Sequence, residues 1–476
     1  DRVKFTFGYT QDTWSGATPV SITPLATDGG NRPYTVNGAV VGASPILNSQ
    51  VLLDHDLNPI GRDPLTKQST GVVDTRSVLV MSSASPETRR QANFGLSYEW
   101  NEAALNVGGG FSRERDYQSS FGSLGGRLDF NQKLTTVKFG GGYTDSQIGA
   151  ILDHDSSPYI TKTAYAQQIV NRRGSEILKG DRQDWVANIG LTQVLSKNAL
   201  IDVSAGYTHS NGFLENPYKA TSVIFIDPAS LNNNLITGDV RALIEQRPNQ
   251  RNQGALSAKY VHYISPFNAA MHLGYRLSVD DWGVNSHTFD ASWVQPLGGG
   301  WTLTPRIRYY SQDAASFFRP YLLTQQTYRR PEVDNLGRQI WVDNNNPSVQ
   351  YFGNDPFTLV DQNGNPVDGL SVDAQPKFTL FDAGKLPTHF SSDHRLAGFG
   401  SLSGGVVLSK LLAKGVALEA GFEYYTRASS MQIGGGNSSY ADFDYYVANA
   451  AIKFDIEPDS TMPIGSTSSS SGSHSH

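Results

Sequence analysis

Apolar side chains recur at every second position in about fourteen separate segments of this chain. One such segment contains Ala92, Phe94, Leu96, Tyr98 and Trp100, with small or polar residues between them. A period of two is typical of a β-strand with one apolar and one polar face. The apolar sets contain no Asp, Glu, Lys or Arg, and such a charge would cost about 2–4 kcal/mol if it faced lipid at the bilayer midplane. The pattern predicts strands whose apolar face contacts either lipid or a protein core.

The lengths of the connections favour lipid. Short connections occur at 101–103, 131–133, 196–198, 265–266, 297–300 and 411–415, whereas long ones occupy about 15–89, 146–182, 211–252 and 311–391. Short turns at one end and long loops at the other are typical of membrane barrels. A soluble sandwich with a buried apolar face has no reason to sort its loops in this way. The sequence therefore predicts an all-β fold, a transmembrane antiparallel up-and-down β-barrel with fourteen visible strands.

This fold carries a prediction of location and organisation. We expect residues 1–454 to form the barrel in the outer membrane of a Gram-negative bacterium, with extracellular long loops and periplasmic termini. The expected partners are outer-membrane lipid and the barrel-assembly machinery, which would read the terminal aromatic Phe454. Residues 455–476 are rich in Ser and poor in apolar residues, which predicts a flexible periplasmic tail. Its His474 and His476 are compatible with part of a purification tag.

An aromatic residue falls on the apolar face near the long-loop end of seven strands. These residues are Tyr9, Phe111, Tyr143, Tyr207, Tyr275, Tyr309 and Tyr424. Amphipathic rings are enriched at the level of the lipid headgroups. The repeat predicts the outer aromatic girdle of the barrel.

Composition excludes several classes of protein. The chain has no Cys, which removes disulfide scaffolds, thiolate metal sites and Cys nucleophiles. A net charge of −6 argues against nucleic acid as a partner, because such binders are basic. The His residues lie in no recognisable catalytic motif, so we expect that the chain is not an enzyme. His272 is a lone inward His, for which a structural role is favoured over catalysis.

Four segments of this chain resemble the bacterial family called domain of unknown function 3570. They are NPYK (216–219), RPNQRNQGALSAKYVHYI (247–264), DDWGVNSHTFDASWVQPLGGGWTLTPRIRYYSQDAASFF (280–318) and FSSDHRLAGFGSL (390–402). The resemblance covers most of 1–15 and 85–454 and implies a porin-like outer-membrane protein without an assigned activity. It also implies that the gene lies near genes for a thioredoxin-like protein, a small lipoprotein and a flavin transferase. The first strand of this chain resembles the third strand of the family. We therefore expect a barrel of sixteen strands if one N-terminal hairpin is missing from this sequence.

The polar faces of the strands carry charges of both signs. These candidate lumen residues are Glu99, Arg127, Asp129, Lys138, Asp202, Lys259, Arg276, Asp290, Arg306, Arg308, Glu419, Glu423 and Arg427. An anion-selective pore would favour a ring of one sign. A mixed set is compatible with a transverse field across a constriction, or with ion pairs that fill the interior or hold a folded-in loop.

A short motif occurs in two of the long loops. Asp54, His55 and Asp56 recur as Asp153, His154 and Asp155, each set preceded by Leu and followed three residues later by Pro. In an extended segment, residues i and i+2 project to the same side. Carboxylate with imidazole suits Mn, Zn or Fe, and carboxylates alone suit Ca. The simpler interpretation is an Asx-turn before a Pro, so a divalent metal (Ca, Mn or Zn) is a candidate ligand and no cofactor is required.

The segment 361–369 resembles part of a calcium-binding loop. It lacks the Gly at the sixth position and the distant Glu of that loop. Asn363-Gly364 is better explained as the turn of a β-hairpin.

The leading functional hypothesis is a porin-like channel or scaffold whose large loops restrict the pore and bind a ligand or partner. Loops of this length are usually functional. One alternative is a non-conducting barrel that anchors a redox lipoprotein or cytochrome for extracytoplasmic electron transfer. A second is a surface metal-binding uptake protein that uses the paired Asp-His-Asp motifs.

Overall fold

A computed structural model describes residues 2–24, 34–36, 39–41, 49–63, 66, 68–152, 160–161, 165–172, 174–436 and 442–454. Fourteen strands form one antiparallel meander. They are β1 Val3–Pro24, β2 Ser77–Glu99, β3 Ala103–Arg113, β4 Tyr117–Phe130, β5 Thr135–Ile151, β6 Ser175–Ser196, β7 Ala199–Gly212, β8 Gln250–Ile264, β9 Ala269–Asp280, β10 Ser286–Gly298, β11 Trp301–Gln312, β12 Phe399–Ala413, β13 Val416–Ala428 and β14 Phe443–Phe454. No helix within these residues has the length and apolarity needed to cross a bilayer.

The register places the alternating apolar residues in continuous belts. Phe5 lies opposite Leu96, Leu96 opposite Val107, and Val107 opposite Leu124 across four successive strands. Directly paired residues share one face of a sheet. Phe5 is 67% exposed and Leu96 53% exposed, as expected of a face whose natural solvent is lipid. The fold is an antiparallel transmembrane β-barrel, and the predicted fold class is confirmed.

Each strand pairs with its neighbours in the chain. β1 pairs with β2 along almost its whole length, and β14 pairs with β13 from Phe443 to Phe454. Among the described residues, no ladder joins β1 to β14. The predicted tail at 455–476 lies outside the described residues.

Several strands extend further toward the long-loop end than the sequence predicted. The first loop was expected at 15–89, but β1 continues to Pro24 and β2 already begins at Ser77. The β1–β2 ladder shifts register between Trp14 and Gly16 and again between Pro19 and Ser21. Apolar alternation is needed only where a strand crosses hydrocarbon, whereas backbone hydrogen bonds can continue the ladder in water. The period-2 pattern therefore ended before the strands did.

Segments of all four long loops assemble into one five-stranded sheet, which we call the loop sheet. Its strands are Ser49–Leu53, Ile160–Thr161, Ala220–Ile226, Ile236–Ile244 and Tyr321–Thr324. The two central strands pair antiparallel with each other, and the other three flank them. Residues Val223 to Ile226 are at most 1% exposed. The loop sheet thus has a core of its own.

Counted along the chain among all connections at the long-loop end of the barrel, the loops at 15–89, 146–182, 211–252 and 311–391 are the first, third, fourth and sixth, and the sixth loop also contains a second small sheet. Its strands are Ile340–Asp343, Gln350–Phe352, Leu359–Val360, Pro366–Val367 and Ala374–Pro376. Leu359–Val360 pairs antiparallel with Pro366–Val367, and Gly364 has a φ of 84°. The predicted Asn363-Gly364 hairpin is confirmed.

The remaining elements are short. The strands are Tyr34–Val36, Ala39–Val41, Ile60–Arg62, Ser69–Val73, Ile169–Arg172, Arg329–Pro331 and Phe378–Leu380, and the 3-10 helices are Pro228–Ser230, Ser265–Phe267, Ala383–Lys385, His394–Leu396 and Ser429–Met431.

The loop sheet packs against the inward face of the barrel at the long-loop end. Leu178 of β6 is fully buried against Phe213 and Ile244. On another side, Phe399 of β12 clusters with Leu214 and Leu396. We call the loop sheet together with residues 213–219, 245–249 and 390–398 the cap.

Candidate functional site

The inward face holds the predicted lumen charges. All thirteen lie opposite the apolar belts, and most of them form ion pairs, either within a strand, between adjacent strands or across one intervening strand. The ion pairs are Arg127 with Glu99 (4.0 Å) and Asp129 (3.7 Å), Lys138 with Asp202 (3.2 Å), Arg308 with Asp290 (2.5 Å), Lys453 with Glu419 (2.6 Å), and Arg306 with Glu423. Among the described residues, Lys259 and Arg276 form no ion pair. Lys453 is an inward charge that the sequence reasoning missed.

Exposure divides this inward face into two levels. The Arg306 and Arg308 side chains are 53% and 57% exposed. Inward polar residues nearer the long-loop end are buried to 8% exposure or less, namely Ser112, Ser146, Ser210, Ser278, Gln312, Ser401 and Arg427. Gln312 Nε2 donates to the carbonyl oxygens of Arg395 (2.9 Å) and Ala397 (2.7 Å) in the cap. Water therefore reaches the middle of the inward face, and the cap covers its outer level.

The seven predicted girdle aromatics lie on the outward face. Tyr9, Phe111 and Tyr207 are each more than 50% exposed. The Tyr207 hydroxyl donates to Asn252 Oδ1 (2.7 Å) and the Tyr309 hydroxyl to the carbonyl oxygen of Met431 (2.5 Å). Such rings have an apolar body and a polar tip, which suits the headgroup level. Their role as a lipid girdle stays a prediction.

A buried ion network joins the fourth and sixth loops at the centre of the cap. Arg247 Nη2 lies 2.7 Å from Glu245 Oε1 and 2.8 Å from Asp393 Oδ2. Arg395 Nη2 contacts the same Asp393 oxygen at 2.7 Å. Glu245 is fully buried and Asp393 is 2% exposed. Charges this deep are tolerated only when each is paired and hydrogen-bonded.

Hydrogen bonds satisfy the other oxygens of this network. The backbone N–H of Asn216 (2.7 Å) and the Ser391 hydroxyl donate to Glu245. The Tyr165 hydroxyl, from the third loop, donates to the Glu245 carbonyl oxygen at 2.7 Å. Three long loops are therefore fastened at one residue.

The surroundings shift the pKa values of the acidic groups in opposite directions. Burial raises the pKa of Glu245, and the nearby Arg247 only partly opposes this. Burial also acts to raise the pKa of Asp393, but the hydrogen bonds and charge of Arg395, with Lys219 and Arg247, outweigh it and lower that pKa. Burial lowers the pKa of His394 to about 3, and Lys219 adds to this effect. The folded cap thus holds His394 neutral.

We predict that acid weakens the cap through His394. The unfolded chain protonates this side chain near pH 6.5, whereas the folded cap does so only near pH 3. Between these values the unfolded chain binds the extra proton, so falling pH lowers cap stability by up to about 1.4 kcal/mol per pH unit. Glu245 acts oppositely above pH 4.5, because its raised pKa lets the folded cap retain a proton.

Comparison with His394→Asn isolates the histidine. Hydrogen exchange of cap peptides at pH 7 and pH 5, corrected for intrinsic rates, should show a smaller pH dependence in the variant. Equal dependence in both proteins would contradict the prediction.

A cavity of about 130 Å³ lies beside this network, at the outer ends of β6, β7 and β8. It is lined by Arg182, Thr208, Ser210, Leu214, Arg247, Arg251, Gln253 and Trp282. Arg182 pairs with Asp184 (2.8 Å), and Arg251 pairs with Asp280. The sequence reasoning predicted none of these arginines. The only available signal was that Arg247 and Arg251 lie in 247–264, one of the segments that carry the family resemblance, whereas Arg182 lies outside all four segments.

The first Asp-His-Asp motif forms a turn. Asp54 accepts hydrogen bonds from the backbone N–H (2.7 Å) and the side-chain amide (3.1 Å) of Asn58. His55 and Asp56 are exposed. Asp153, His154 and Asp155 lie outside the described residues, and the described part of the chain contains no group of three or more His, Asp or Glu arranged for a metal ion. Metal binding by the two motifs together stays a prediction.

His272 lies inward on β9, opposite Val261 of β8 and Ser292 of β10. No acidic residue pairs with its ring among the described residues. A structural role for it stays a prediction.

Three solved structures of outer-membrane proteins are similar to this chain at low sequence identity. Among solved structures, a mutant ferric enterobactin receptor (PfeA) from Pseudomonas aeruginosa aligns at 10% identity and a TM-score of 0.40, covering 78% of this chain and 49% of that one. CdiB from Acinetobacter baumannii aligns at 9% identity and a TM-score of 0.33, covering 87% of this chain and 55% of that one. The siderophore receptor PirA from Pseudomonas aeruginosa aligns at 11% identity and a TM-score of 0.35, covering 73% of this chain and 47% of that one. This chain spans about half the length of these structures.

No curated protein matches the sequence. A family model does match, over residues 1–461, and its description reads "Protein of unknown function (DUF3570)". The match includes all fourteen strands and the whole cap. This chain therefore belongs to the DUF3570 family.

Proposed function

We propose that this protein is an outer-membrane channel of a Gram-negative bacterium whose long loops fold into a cap that restricts its mouth. The observation that carries the proposal is the division of the inward face by exposure. The Arg308 side chain is 57% exposed, whereas Arg427, nearer the long-loop end, is 5% exposed beneath the cap. A scaffold would need no wet interior. A simple diffusion pore would need no folded cap.

The mixed charges of the inward face support passage of water and small polar solutes. Most form ion pairs with a residue no more than two strands away, so they cancel locally instead of forming a ring of one sign. Lys259 and Arg276, which form no ion pair among the described residues, bias the middle level toward positive charge. We therefore infer a weak preference for anions once the cap permits conduction.

Reversing both charges should invert this preference. In Lys259→Glu/Arg276→Glu, the field along the middle level becomes negative, so cations should carry more of the current. The measurement is the reversal potential under a tenfold KCl gradient, which should change sign relative to wild type. Lys133→Glu, on a short turn outside the lumen, is the matched control and should leave the reversal potential unchanged. An unchanged potential in the double variant would contradict the proposed path.

A reversible cross-link tests whether the cap restricts the pore. Gln50 of the first loop lies directly opposite Asp239 of the fourth loop, and facing residues on antiparallel strands have Cα separations compatible with a disulfide. The chain has no Cys, so Gln50→Cys/Asp239→Cys introduces a single bridge. We expect fewer and smaller openings in planar bilayers when the bridge is oxidised, and recovery on reduction.

The single variant Gln50→Cys controls for the reagents. Ion current that is identical in the oxidised and reduced states would show that separation of these loops does not open the channel. No ion current from the wild-type protein in any state would overturn the channel proposal and favour the non-conducting anchor.

A further inference from the structure

The cavity beneath the cap is lined by three arginines and by no carboxylate. Its other lining residues are Thr208, Ser210, Gln253, Trp282 and Leu214. Two hydroxyls and an amide therefore add polar groups to three guanidinium groups around the same space. A lining of this kind is complementary to a negatively charged ligand.

Carboxylates that lie outside the cavity lining hold two of these arginines in place. Arg182 donates from Nε (2.9 Å) and Nη2 (2.8 Å) to Asp184. Arg251 donates from Nε (2.8 Å) and Nη2 to Asp280. The Nη1 groups of both arginines donate to no described residue. In each arginine, the hydrogen bonds from Nε and Nη2 to the carboxylate fix the orientation of the guanidinium group. The Nη1 edge can then donate hydrogen bonds to a ligand.

Arg247 is the most deeply buried of the three arginines. Its side chain is 10% exposed, and its two ion pairs both use Nη2. Its Nε is buried and has no hydrogen-bond partner among the described residues. A buried donor without a partner costs about 1–3 kcal/mol, so Arg247 carries an energetic penalty within the cap.

The cavity is preorganised and of limited size. Arg251 lies over the Trp282 ring at 4.6 Å, and Trp282 Nε1 donates to the Gln250 carbonyl oxygen at 2.8 Å. The volume of about 130 Å³ equals roughly four water molecules at about 30 Å³ each. Side-chain exposure falls from 40% at Arg182 to 28% at Arg251 and 10% at Arg247. Arg182 is therefore the most accessible of the three arginines and Arg247 the least.

We propose that this cavity binds a small oxyanion such as phosphate, sulfate or a short-chain carboxylate. The planar guanidinium groups match the geometry of such anions and form charge-assisted hydrogen bonds with them. The binding goes beyond the proposed channel function, because a site beneath the cap needs no ion current to be occupied. It is also separate from lipid phosphate, because the lining residues of β6, β7 and β8 lie on the inward face.

Titration calorimetry of the detergent-solubilised full chain tests the proposal. Inorganic phosphate, sulfate and succinate are titrated separately at constant chloride, and we expect one saturable site for at least one of them. Arg182→Gln and Arg251→Gln should each weaken that binding tenfold or more. Arg330→Gln removes an exposed arginine of the loop 311–391, outside the cavity, and should bind as wild type does.

Two results would overturn the proposal. One is the absence of saturable binding of all three anions by the wild type, which would leave the cavity as a water-filled space. The other is wild-type affinity in both Arg182→Gln and Arg251→Gln. Glycerol 3-phosphate in the same titration distinguishes a site for the free anion from one for the anionic end of a larger solute.

Chemical labelling of the wild-type protein provides a readout that does not depend on a variant folding. Phenylglyoxal modifies accessible arginines, and Arg182 is the most exposed of the three. We expect the bound anion to protect Arg182, measured by mass spectrometry, while leaving Arg276 labelled to the same extent. Equal labelling of Arg182 with and without saturating anion would contradict occupation of the cavity.

Discussion

Replacing Arg247 with Met is expected to unfold the centre of the cap while the fourteen-stranded barrel stays folded. Arg247 is the only ion-pair partner of the fully buried Glu245 among the described residues. Met preserves much of the length of the side chain but leaves that carboxylate uncompensated. Breaking a buried ion pair by removing one partner costs about 3–5 kcal/mol, which is a large part of the stability of a small folded unit.

Hydrogen exchange by mass spectrometry locates this effect. Peptides from 213–249 and 390–398 should exchange about 10²–10⁴ times faster in Arg247→Met, whereas peptides from the middle of β3 to β5 should not change. Arg276→Met makes the same substitution at an inward arginine without an ion pair and should leave the cap protected. Wild-type protection of the cap in Arg247→Met would refute the role of the network.

A second substitution separates charge from packing. In Arg247→Met/Glu245→Gln the carboxylate is neutral, so the penalty for an unpaired buried charge is removed. We expect this double variant to recover part of the lost protection. A double variant as unprotected as Arg247→Met would indicate that the volume and hydrogen bonds of Arg247, more than its charge, stabilise the cap.

The barrel could be predicted because its signal is local. Leu96 and its apolar neighbours on β2 must face lipid whatever the remainder of the chain does, so each strand shows the period of two by itself. The same reasoning fails beyond the hydrocarbon. The outer part of β1, up to Pro24, is stabilised by its ladder with β2, and its side chains need not alternate.

The cap could not be predicted because its contacts are distant in the sequence. Ser49–Leu53 pairs with Ile236–Ile244, and Arg247 meets Asp393 after 146 residues. No periodicity within either segment identifies the other. The continuous apolar run of Ala220–Ile226 indicated a buried strand at most, and only its pairing with strands of other loops explains what buries it.

The candidate ligand sites illustrate the same limit. Asp54 was notable in the sequence because its motif recurs, and in the structure its carboxylate closes a turn with Asn58. Arg182 and Arg251 were unremarkable in the sequence because neither belongs to a recurring or recognisable motif. Their shared cavity arises from the register of β6, β7 and β8. A sequence motif that recurs indicates a local geometry that is repeated. A binding site, in contrast, depends on side chains that the fold brings together from distant parts of the sequence.

Phe225→Ala is expected to have the second large effect, this time through packing. Phe225 is 1% exposed and contacts two aromatic rings of the sixth loop, Tyr328 at 5.3 Å and Phe381 at 4.9 Å between centroids. Truncating a buried Phe costs about 3–5 kcal/mol, because the site loses both the burial and the contacts around a new cavity. We expect Ala220–Ile226 and Tyr321–Thr324 to lose exchange protection together, since these two strands pair in parallel.

The sixth loop supplies the matched control for this prediction. Phe357 is 72% exposed. Phe357→Ala therefore deletes the same phenyl group from a position on the surface and should leave both strands protected. If the cap restricts the channel, Phe225→Ala should also increase open-channel conductance in planar bilayers, and Phe357→Ala should not. Protection lost in Ala220–Ile226 but kept in Tyr321–Thr324 would show that the two loops fold independently. In that case the cap would not act as one cooperative unit, and a local change in one loop would not open the mouth of the barrel.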